Sequence, residues 1–320
     1  MSSDPAETVG GQAVIEGVMM RAPSGWAVAV RTPTGQIEAR SEELPRLSSR
    51  SKAAKIPFVR GVLVLGESLT LGMKALTWSG QMAAQEEEEG LGRWELIGSL
   101  TVAMILFAGI FMLVPALLAD WISSANSVMF AVVEGVIRIL LFVLYVWAIG
   151  RMEDIKRVFQ YHGAEHKTIH AYEAGDPLTI DAVQKYRPEH PRCGTSFLLV
   201  VLLGSVAAFA VVGVALEALD INTIPYIVVS RIVFIPVIAG ASYEFLRFSG
   251  LHAGGTLGKI LIRPGLWLQY LTTDQPDEAQ VEVAIASLLA ALDEEKVAAV
   301  RARGPVASGA LDVVMADEEE

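Results

Sequence analysis

The chain has 320 residues, of which 52% are hydrophobic and 19% are charged, whereas an average soluble domain is about 45–50% apolar and about 25% charged. This composition argues against an ordinary soluble domain. The net charge of -11 argues against a nucleic-acid-binding protein, because contacts to phosphates need an excess of lysine and arginine. The single cysteine, Cys193, excludes a disulfide framework within one chain and a zinc site built from cysteines alone.

Residues 1–55 are predicted to form a small cytoplasmic β-meander followed by a linker. Three short runs of strand-forming residues are separated by turns that contain proline and glycine. The runs are Ala13–Met20, Trp26–Arg31 and Gln36–Arg40. The linker, residues 44–55, is polar and rich in serine and arginine.

The next unit, residues 56–93, is predicted to contain an interfacial or half-inserted helix and an acidic loop. The segment 58–78 is apolar except for Arg60, Glu67 and Lys74, which are seven residues apart and form one narrow stripe on a helix. A helix that crossed the bilayer would bury Glu67, whereas a helix that lies at the interface would not.

Four segments are long and apolar enough to cross a hydrocarbon core of about 30 Å, which takes about 20 helical residues. They are Leu96–Ala119, Val128–Gly150, Cys193–Leu216 and Ile221–Tyr243. Residues 94–150 and 193–247 are therefore each predicted to contain two transmembrane helices. Three charged residues at membrane depth, Glu134, Arg138 and Arg231, are expected to face the bundle interior. They predict either structural pairing between helices or an ion pathway.

The charges of the connecting segments predict the orientation of these helices. Residues 151–192 carry seven lysines and arginines and the region up to Arg93 carries ten, whereas residues 120–127 and 217–223 carry none. By the positive-inside rule, the N-terminus, the central segment and the C-terminus are therefore cytoplasmic. Met1–Gly10 is polar and lacks a basic stretch before an apolar core, so no signal peptide is predicted.

Residues 248–300 are predicted to form cytoplasmic amphipathic segments, and residues 301–320 are predicted to form a disordered tail. The segment Asp277–Ala299 is interpreted as one amphipathic helix. Its apolar side consists of Val281, Ile285, Leu288, Leu289 and Leu292. The short aromatic segment Gly265–Leu271 suits the membrane interface.

The residues best suited to chemistry lie in the central segment, 151–192. His162, Glu165 and His166 share one face of a predicted helix and match the inverted zincin pattern His-x-x-Glu-His. Two imidazoles four residues apart can hold one metal ion, and the carboxylate beside them can polarise a bound water. Given the rise of about 1.5 Å per residue, the pair that shares one ion is either His162/His166 or His166/His170.

A third metal ligand is expected from outside this helix. His190 and Cys193 stand just before the third membrane segment and offer an imidazole and a thiolate. Glu244, at the cytoplasmic end of the fourth membrane segment, could complete a metal site or pair with a nearby arginine. The alternative to a metal site is a structural network of these polar groups, and Cys193 is equally suited to packing at the start of a helix.

Four strings in the sequence resemble the signatures of the bacterial DUF1385 family. They are Gly10–Arg21, Tyr161–Ile169, His190–Phe197 and Ser242–Glu244. The resemblance extends over roughly Val9 to Leu292. It implies an integral protein of the bacterial cytoplasmic membrane, in a family whose members are labelled predicted metal-dependent enzymes without an established reaction.

The resemblance favours the pair of His162 and His166 over the pair that includes His170. Four further residues are expected around the ligands rather than among them. They are Glu16, Arg21, Glu173 and Arg192. The first two are strand residues and could equally hold the meander together.

The main functional hypothesis is a membrane-embedded metal-dependent enzyme of the hydrolase type, which works at the cytoplasmic face. His162 and His166 would bind a divalent metal ion such as zinc, and Glu165 would be the general base. The third ligand would be His190 or Cys193. The alternatives are a non-catalytic membrane assembly or scaffold protein and, as a third possibility, an ion transporter. The lipid bilayer is the expected partner, and nucleic acid is not expected to bind. The sequence leaves the protein partners, the substrate and the oligomeric state open.

Overall fold

The computed structural model describes residues 9–44, 55–84, 93–122, 127–221, 223–251 and 255–316. The helices are α1 (Val59–Ala83), α2 (Arg93–Ala108), α3 (Val114–Ile122), α4 (Ser127–Ile149), α5 (Glu153–Ala174), α6 (Ile180–Gln184), α7 (Gly194–Ala218), α8 (Ile224–Leu251), α9 (Thr256–Thr272), α10 (Glu278–Ala291) and α11 (Glu294–Ala302). The strands are β1 (Gly10–Val14), β2 (Gly17–Arg21), β3 (Gly25–Arg31), β4 (Ile37–Glu43) and β5 (Val313–Met315). The predicted acidic run at 86–89 and most of the predicted linker, 45–54, lie outside the described residues.

Four helical stretches have the length and apolar composition of membrane spans, in agreement with the sequence. They are Ile97–Ile122, Ser127–Ile149, Gly194–Ala218 and Ile224–Ser249. The first combines α2, a π-helical turn at Gly109–Leu113, and α3. In the most apolar stretch of each span, only 17% to 33% of the residues are buried inside the protein, so the outer apolar surface is compatible with contact to lipid. The predicted fold class, a mainly α membrane protein with a small N-terminal sheet, is confirmed.

The five-stranded sheet is covered on both faces by helices. Strands β1 to β4 form an antiparallel meander in chain order, and β5 adds to β4 in parallel. Alternate residues of β3 point to opposite faces, as the two-residue period of a strand requires. Ala27 and Ala29 belong to the core that includes α5 and α10, whereas Trp26, Val28 and Val30 pack against α1.

The predicted strand Ala13–Met20 is wrong, because the structure divides it into two strands of a hairpin. The chain turns at Ile15 and Glu16, where Glu16 adopts a φ of 51°, and Val14 then pairs with Gly17. The turn contains no glycine, proline or asparagine, and apolar residues continue on both sides of it. The pattern therefore resembles one unbroken strand.

The predicted disordered tail is also wrong for residues 301–316. Helix α11 continues to Ala302, and β5 pairs with β4 so that Val313 lies opposite Ile37. The residues 317–320 lie outside the described part of the chain. The acidic composition predicted disorder, but three residues of edge pairing are enough to order the segment against an existing sheet.

The predicted single helix Asp277–Ala299 is two helices, and the first is not amphipathic. The break falls at Leu292, after which Asp293 accepts a hydrogen bond from the Lys296 amide and caps α11. Helix α10 is buried on both sides, including Ala284 and Ser287, because it lies between the sheet and α5. It is a core helix of the folded domain.

Helix α1 links the sheet to the membrane bundle. It is longer than the predicted segment and is not one of the candidate spans in the described residues. Its middle packs under the sheet, and its first turn contacts α8, where a Cβ on Gly61 would lie 2.8 Å from Tyr243 Cβ. Each charge of the predicted stripe is paired with an opposite charge. The pairs are Arg60–Glu244, Glu67–Arg21 and Lys74–Glu42.

The N-terminal sheet, the central helix α5 and the C-terminal helix α10 contact one another and form one folded domain. They therefore lie on the same side of the four spans. This is the arrangement required by the predicted topology, in which two membrane hairpins each leave from and return to one side.

Candidate metal centre

Helix α5 carries most of the polar residues that the sequence singles out. It begins with Glu153 and Asp154, whose carboxylates suit the positive end of a helix, and it is capped by Gly175 at a φ of 81°. Gly163 is needed for packing, because a Cβ there would lie 2.1 Å from the carbonyl oxygen of Asp274. This close crossing brings the end of α9 onto the histidine face of α5.

The two predicted histidine ligands are each oriented by a backbone carbonyl. His162 Nδ1 lies 2.8 Å from the carbonyl oxygen of Thr272, and His166 Nδ1 lies 2.5 Å from that of Pro188. Because a carbonyl oxygen only accepts, each Nδ1 carries the proton and each Nε2 keeps a free lone pair. Burial holds the pKa of His166 well below its usual value, which keeps this imidazole neutral. Metal-binding histidines are commonly held in this way.

Cys193 is the third member of the group. It caps the N-terminus of α7, the third span, and its sulfur accepts a hydrogen bond from the amide of Thr195. The sulfur lies 3.2 Å from His162 Nε2, and one ligand atom from each of His162, His166 and Cys193 lies within 4.8 Å of the other two. Two ligands of one tetrahedral zinc ion are about 3.5 Å apart. These three side chains therefore need little movement to share an ion, and no other such group occurs in the part of the chain that the structure describes.

Glu165 lies beside this group and is 3% exposed. Its Oε2 has no hydrogen-bond partner within the described residues, and a Cβ on Gly11 of β1 would lie 3.1 Å from its Cδ. Burial raises the pKa of Glu165 to about 8, against the opposing influence of His162. A buried carboxyl oxygen without a partner is costly in a purely structural role.

His190 lies next to the group, but its ring nitrogens face elsewhere. Its ring centroid is 5.5 Å from that of His166, its Nδ1 accepts from the Arg192 amide, and its Nε2 is 3.9 Å from a Glu173 oxygen. Burial lowers the pKa of His190 to about 4. Of the two predicted third ligands, the structure thus brings Cys193 to the pair and directs His190 away. Glu173 also pairs with Arg192, so both of these predicted surrounding residues lie around His190.

Glu244, which the sequence also predicts as a ligand, is not part of the group. Its carboxylate pairs with Arg60 and accepts a hydrogen bond from the Phe58 amide at 3.3 Å. Both partners stand at the start of α1, so the Ser242–Glu244 signature fastens α1 to the fourth span. The arginine pairing that the sequence left as the alternative is the one that the structure shows.

Glu16 and Arg21 lie in the hairpin of β1 and β2 and bind neighbouring elements. The Glu16 carboxylate pairs with Arg157 of α5, and the Arg21 guanidinium is 3.6 Å from Glu67 of α1. Neither belongs to the group of metal ligands. They hold the meander to the helices on its two faces, which is the second of the two roles that the sequence suggested.

The charges inside the membrane pair with each other. Arg138 and Arg231 both donate to the Glu134 carboxylate, which joins α4 to α8. Arg138 Nε also donates to the carbonyl of Phe111 at 2.9 Å, within the π-helical turn of the first span. The predicted structural pairing between helices is therefore present, and it reaches a third helical segment.

Sequence reasoning missed the groups that orient the site. The carbonyls of Thr272 and Pro188 belong to the backbone and leave no residue-type signal. Gln269 bonds to both the amide and the carbonyl of His190, at 2.7 Å and 2.9 Å, and is fully buried. Gly11 could have been found, because it stands in the first signature string, where a glycine allows close approach of another chain segment.

Comparison with known proteins places the chain in a family. The model of a family described as "Protein of unknown function (DUF1385)" matches residues 56–294. The chain is also 36% identical over 296 residues to "Uncharacterized protein YqhQ" of Bacillus subtilis (strain 168), covering 87% of this chain and 90% of that protein. No solved structure matches the chain. The resemblance found in the sequence is thus confirmed, and the protein belongs to the DUF1385 family.

Proposed function

We propose that the protein is a membrane-bound, metal-dependent hydrolase whose site faces the cytoplasm. The observation that carries the proposal is the convergence of His162, His166 and Cys193, with both imidazoles held by backbone carbonyls. The cytoplasmic placement rests on the excess of lysine and arginine in the segments next to the folded domain.

The donor set fits a zinc-like ion better than magnesium or calcium. Two neutral imidazoles and one thiolate are soft or borderline ligands, whereas magnesium and calcium prefer oxygen. Three protein ligands leave a fourth tetrahedral position open, which is typical of catalytic rather than structural zinc sites. Burial raises the pKa of the Cys193 thiol, against the opposing influence of the Thr195 and Ser196 amides at the start of α7, so it is a bound cation that would favour the thiolate.

A bound divalent ion would supply Lewis-acid chemistry at this site. A bound cation would oppose the burial that raises the pKa of Glu165 and so favour its carboxylate. The ionised Glu165 would accept the proton of an attacking water at Oε2, the oxygen that lacks a hydrogen-bond partner among the described residues. His162 and His166 would hold their orientation through Thr272 and Pro188 while the reaction proceeds. The close contact with Gly11 would keep the Glu165 carboxyl in place.

Metal analysis of the purified protein tests the first step. We expect about one zinc-like ion per chain after exposure to zinc and washing, and loss of that ion in His162→Ala and Cys193→Ser. His170→Ala is the matched control, because His170 lies on the same helix but bonds to the Glu189 carbonyl instead. Wild-type protein that stays metal-free under these conditions would overturn the proposal.

The second step is tested with Glu165→Gln, which preserves shape and removes the base. We expect this variant to keep its metal and to lose hydrolysis of ester, amide or phosphoester substrates, by about 100-fold or more. The non-catalytic alternative, a scaffold with a structural polar network, predicts instead that Glu165→Gln leaves the function of the protein in cells unchanged.

A further inference from the structure

A groove outside the candidate metal centre lies between the sheet and α1. Its volume is about 670 Å³, which is within the usual range for small-ligand sites. One wall comes from β3 and β4 and the other from α1. The residues that matter for its chemistry are Trp26, Arg40, Glu42, Leu69, Met73 and Lys74.

Two of the residues that line the groove carry buried hydrogen-bond donors that lack acceptors within the described part of the chain. Trp26 is 2% exposed, and neither its Nε1 nor the Nε of Arg40 has a hydrogen-bond partner among the described residues. Leaving a buried N–H without an acceptor is unfavourable. Both orphaned groups are donors, so the complementary ligand is rich in acceptor oxygens.

The charges of the groove favour an anion. Arg40 and Lys74 both approach Glu42, at 3.0 Å and 3.6 Å, so two cations share one carboxylate. The three side chains together carry a net charge of +1. An anionic oxygen cluster can bind to the two cations without displacing Glu42, since each cation has further donors.

The rim of the groove is continuous with an apolar stripe on α1. Val62, Leu69, Met73 and Leu76 recur at helical spacing and are 39% to 61% exposed. The first turn of α1 is fastened to the fourth span through Gly61 and Arg60. An apolar stripe on a helix that starts at the membrane bundle suits the bilayer interface.

We propose that this groove binds the headgroup of an anionic membrane phospholipid. Its phosphate oxygens would accept hydrogen bonds from Trp26 Nε1 and from Arg40, with Lys74 as a second cation. Its acyl chains would follow Leu69 and Met73 into the bilayer. The proposal does not depend on the proposed hydrolase function, because the groove uses none of the residues of the metal centre.

Native mass spectrometry of the detergent-purified full chain tests this assignment. We expect phosphatidylglycerol to bind about tenfold more tightly than phosphatidylcholine with the same acyl chains, because the choline cation offsets the phosphate charge and is repelled by Arg40 and Lys74. Arg40→Gln and Lys74→Gln should each remove most of this preference. Lys156→Gln, at an exposed lysine of α5, is the matched control and should preserve it.

One further variant and one competition measurement complete the test. Trp26→Phe removes only the indole N–H and part of the ring, so a reduced preference in a variant with a normal unfolding temperature supports the assigned contact. Glycerol phosphate without acyl chains should compete poorly, because the apolar stripe contributes to binding. Equal binding of the two lipids, or a preference that survives both Arg40→Gln and Lys74→Gln, would overturn the proposal.

Discussion

The protein buries charged and polar side chains in two places, and the two are built differently. Inside the membrane, both oxygens of Glu134 accept hydrogen bonds from arginines, and Arg138 also reaches a backbone carbonyl. At the candidate metal centre, His162 Nε2 lies 3.2 Å from the Cys193 sulfur, a ligand atom of His166 lies within 4.8 Å of both, and Glu165 Oε2 has no partner among the described residues.

The difference separates a cluster whose charges satisfy one another from a group of side chains that has the capacity to hold a ligand. Charges that satisfy one another tie helices together and need nothing further. At the candidate metal centre, the contact between His162 Nε2 and the Cys193 sulfur relies on a weak thiol donor, and Glu165 Oε2 has no partner among the described residues. The carbonyls of Thr272 and Pro188 hold the two imidazoles in place. Removal of a single partner is therefore expected to affect the stability of the fold differently in the two regions.

The largest effect is expected from Glu134→Ala in the membrane cluster. It leaves Arg138 and Arg231 buried without their carboxylate, and we expect it to lower the free energy of unfolding by about 3–5 kcal/mol. Denaturant unfolding in detergent measures this loss. Replacing all three residues by leucine should restore most of the stability, and metal content per folded chain should stay unchanged in both variants. A restored bundle that had lost its metal would show that the two regions are coupled.

Removing the metal is expected to have the next largest effect. A ligand that binds only the folded state at several hundred times its dissociation constant stabilises that state by roughly 3 kcal/mol. A chelator should therefore lower the unfolding temperature of the wild-type protein and leave that of His162→Ala unchanged. Equal shifts in the two proteins would mean that the ion acts elsewhere.

A smaller effect is expected from Gly163→Ala, which acts on the site through packing. The added Cβ would meet the Asp274 carbonyl and move the end of α9, whose Thr272 carbonyl orients His162. We expect a loss of about 1–3 kcal/mol of stability and about 10–100-fold weaker metal binding. Gly66→Ala, at a helical glycine with open space around it, is the control and should leave metal affinity unchanged.

The sequence was sufficient to predict features that depend on composition and local spacing. The four spans follow from long apolar runs, and the group of His162 and His166 follows from a four-residue spacing on a helix. The sequence could not choose between His190 and Cys193, because that choice depends on which ring nitrogens already have partners. The Arg192 amide and the Glu173 carboxylate of α5 engage His190, and both contacts depend on where the turn before α7 places His190.

Two of the errors share a physical cause, since they concern contacts between distant parts of the chain. Strand β5 is three residues long and exists because β4 offers a free edge. Helix α10 is buried on both sides because the sheet and α5 enclose it. The hydrophobic pattern of its own sequence indicates only one of these two buried sides. Burial by a neighbour is a tertiary property that a local period cannot encode.

The smallest predicted effect concerns Glu244, and it tests whether this residue belongs to the candidate metal centre. Glu244→Gln weakens a partly exposed contact with Arg60 and with the start of α1, so we expect a loss of only about 1 kcal/mol. Metal affinity should not change, because the carboxylate is engaged with α1 and not with the group of ligands. Titration of zinc into the wild type and Glu244→Gln measures this, with Cys193→Ser as the positive control. A loss of affinity as large as that of Cys193→Ser would make Glu244 a ligand and would show that the Arg60 contact opens when the metal binds.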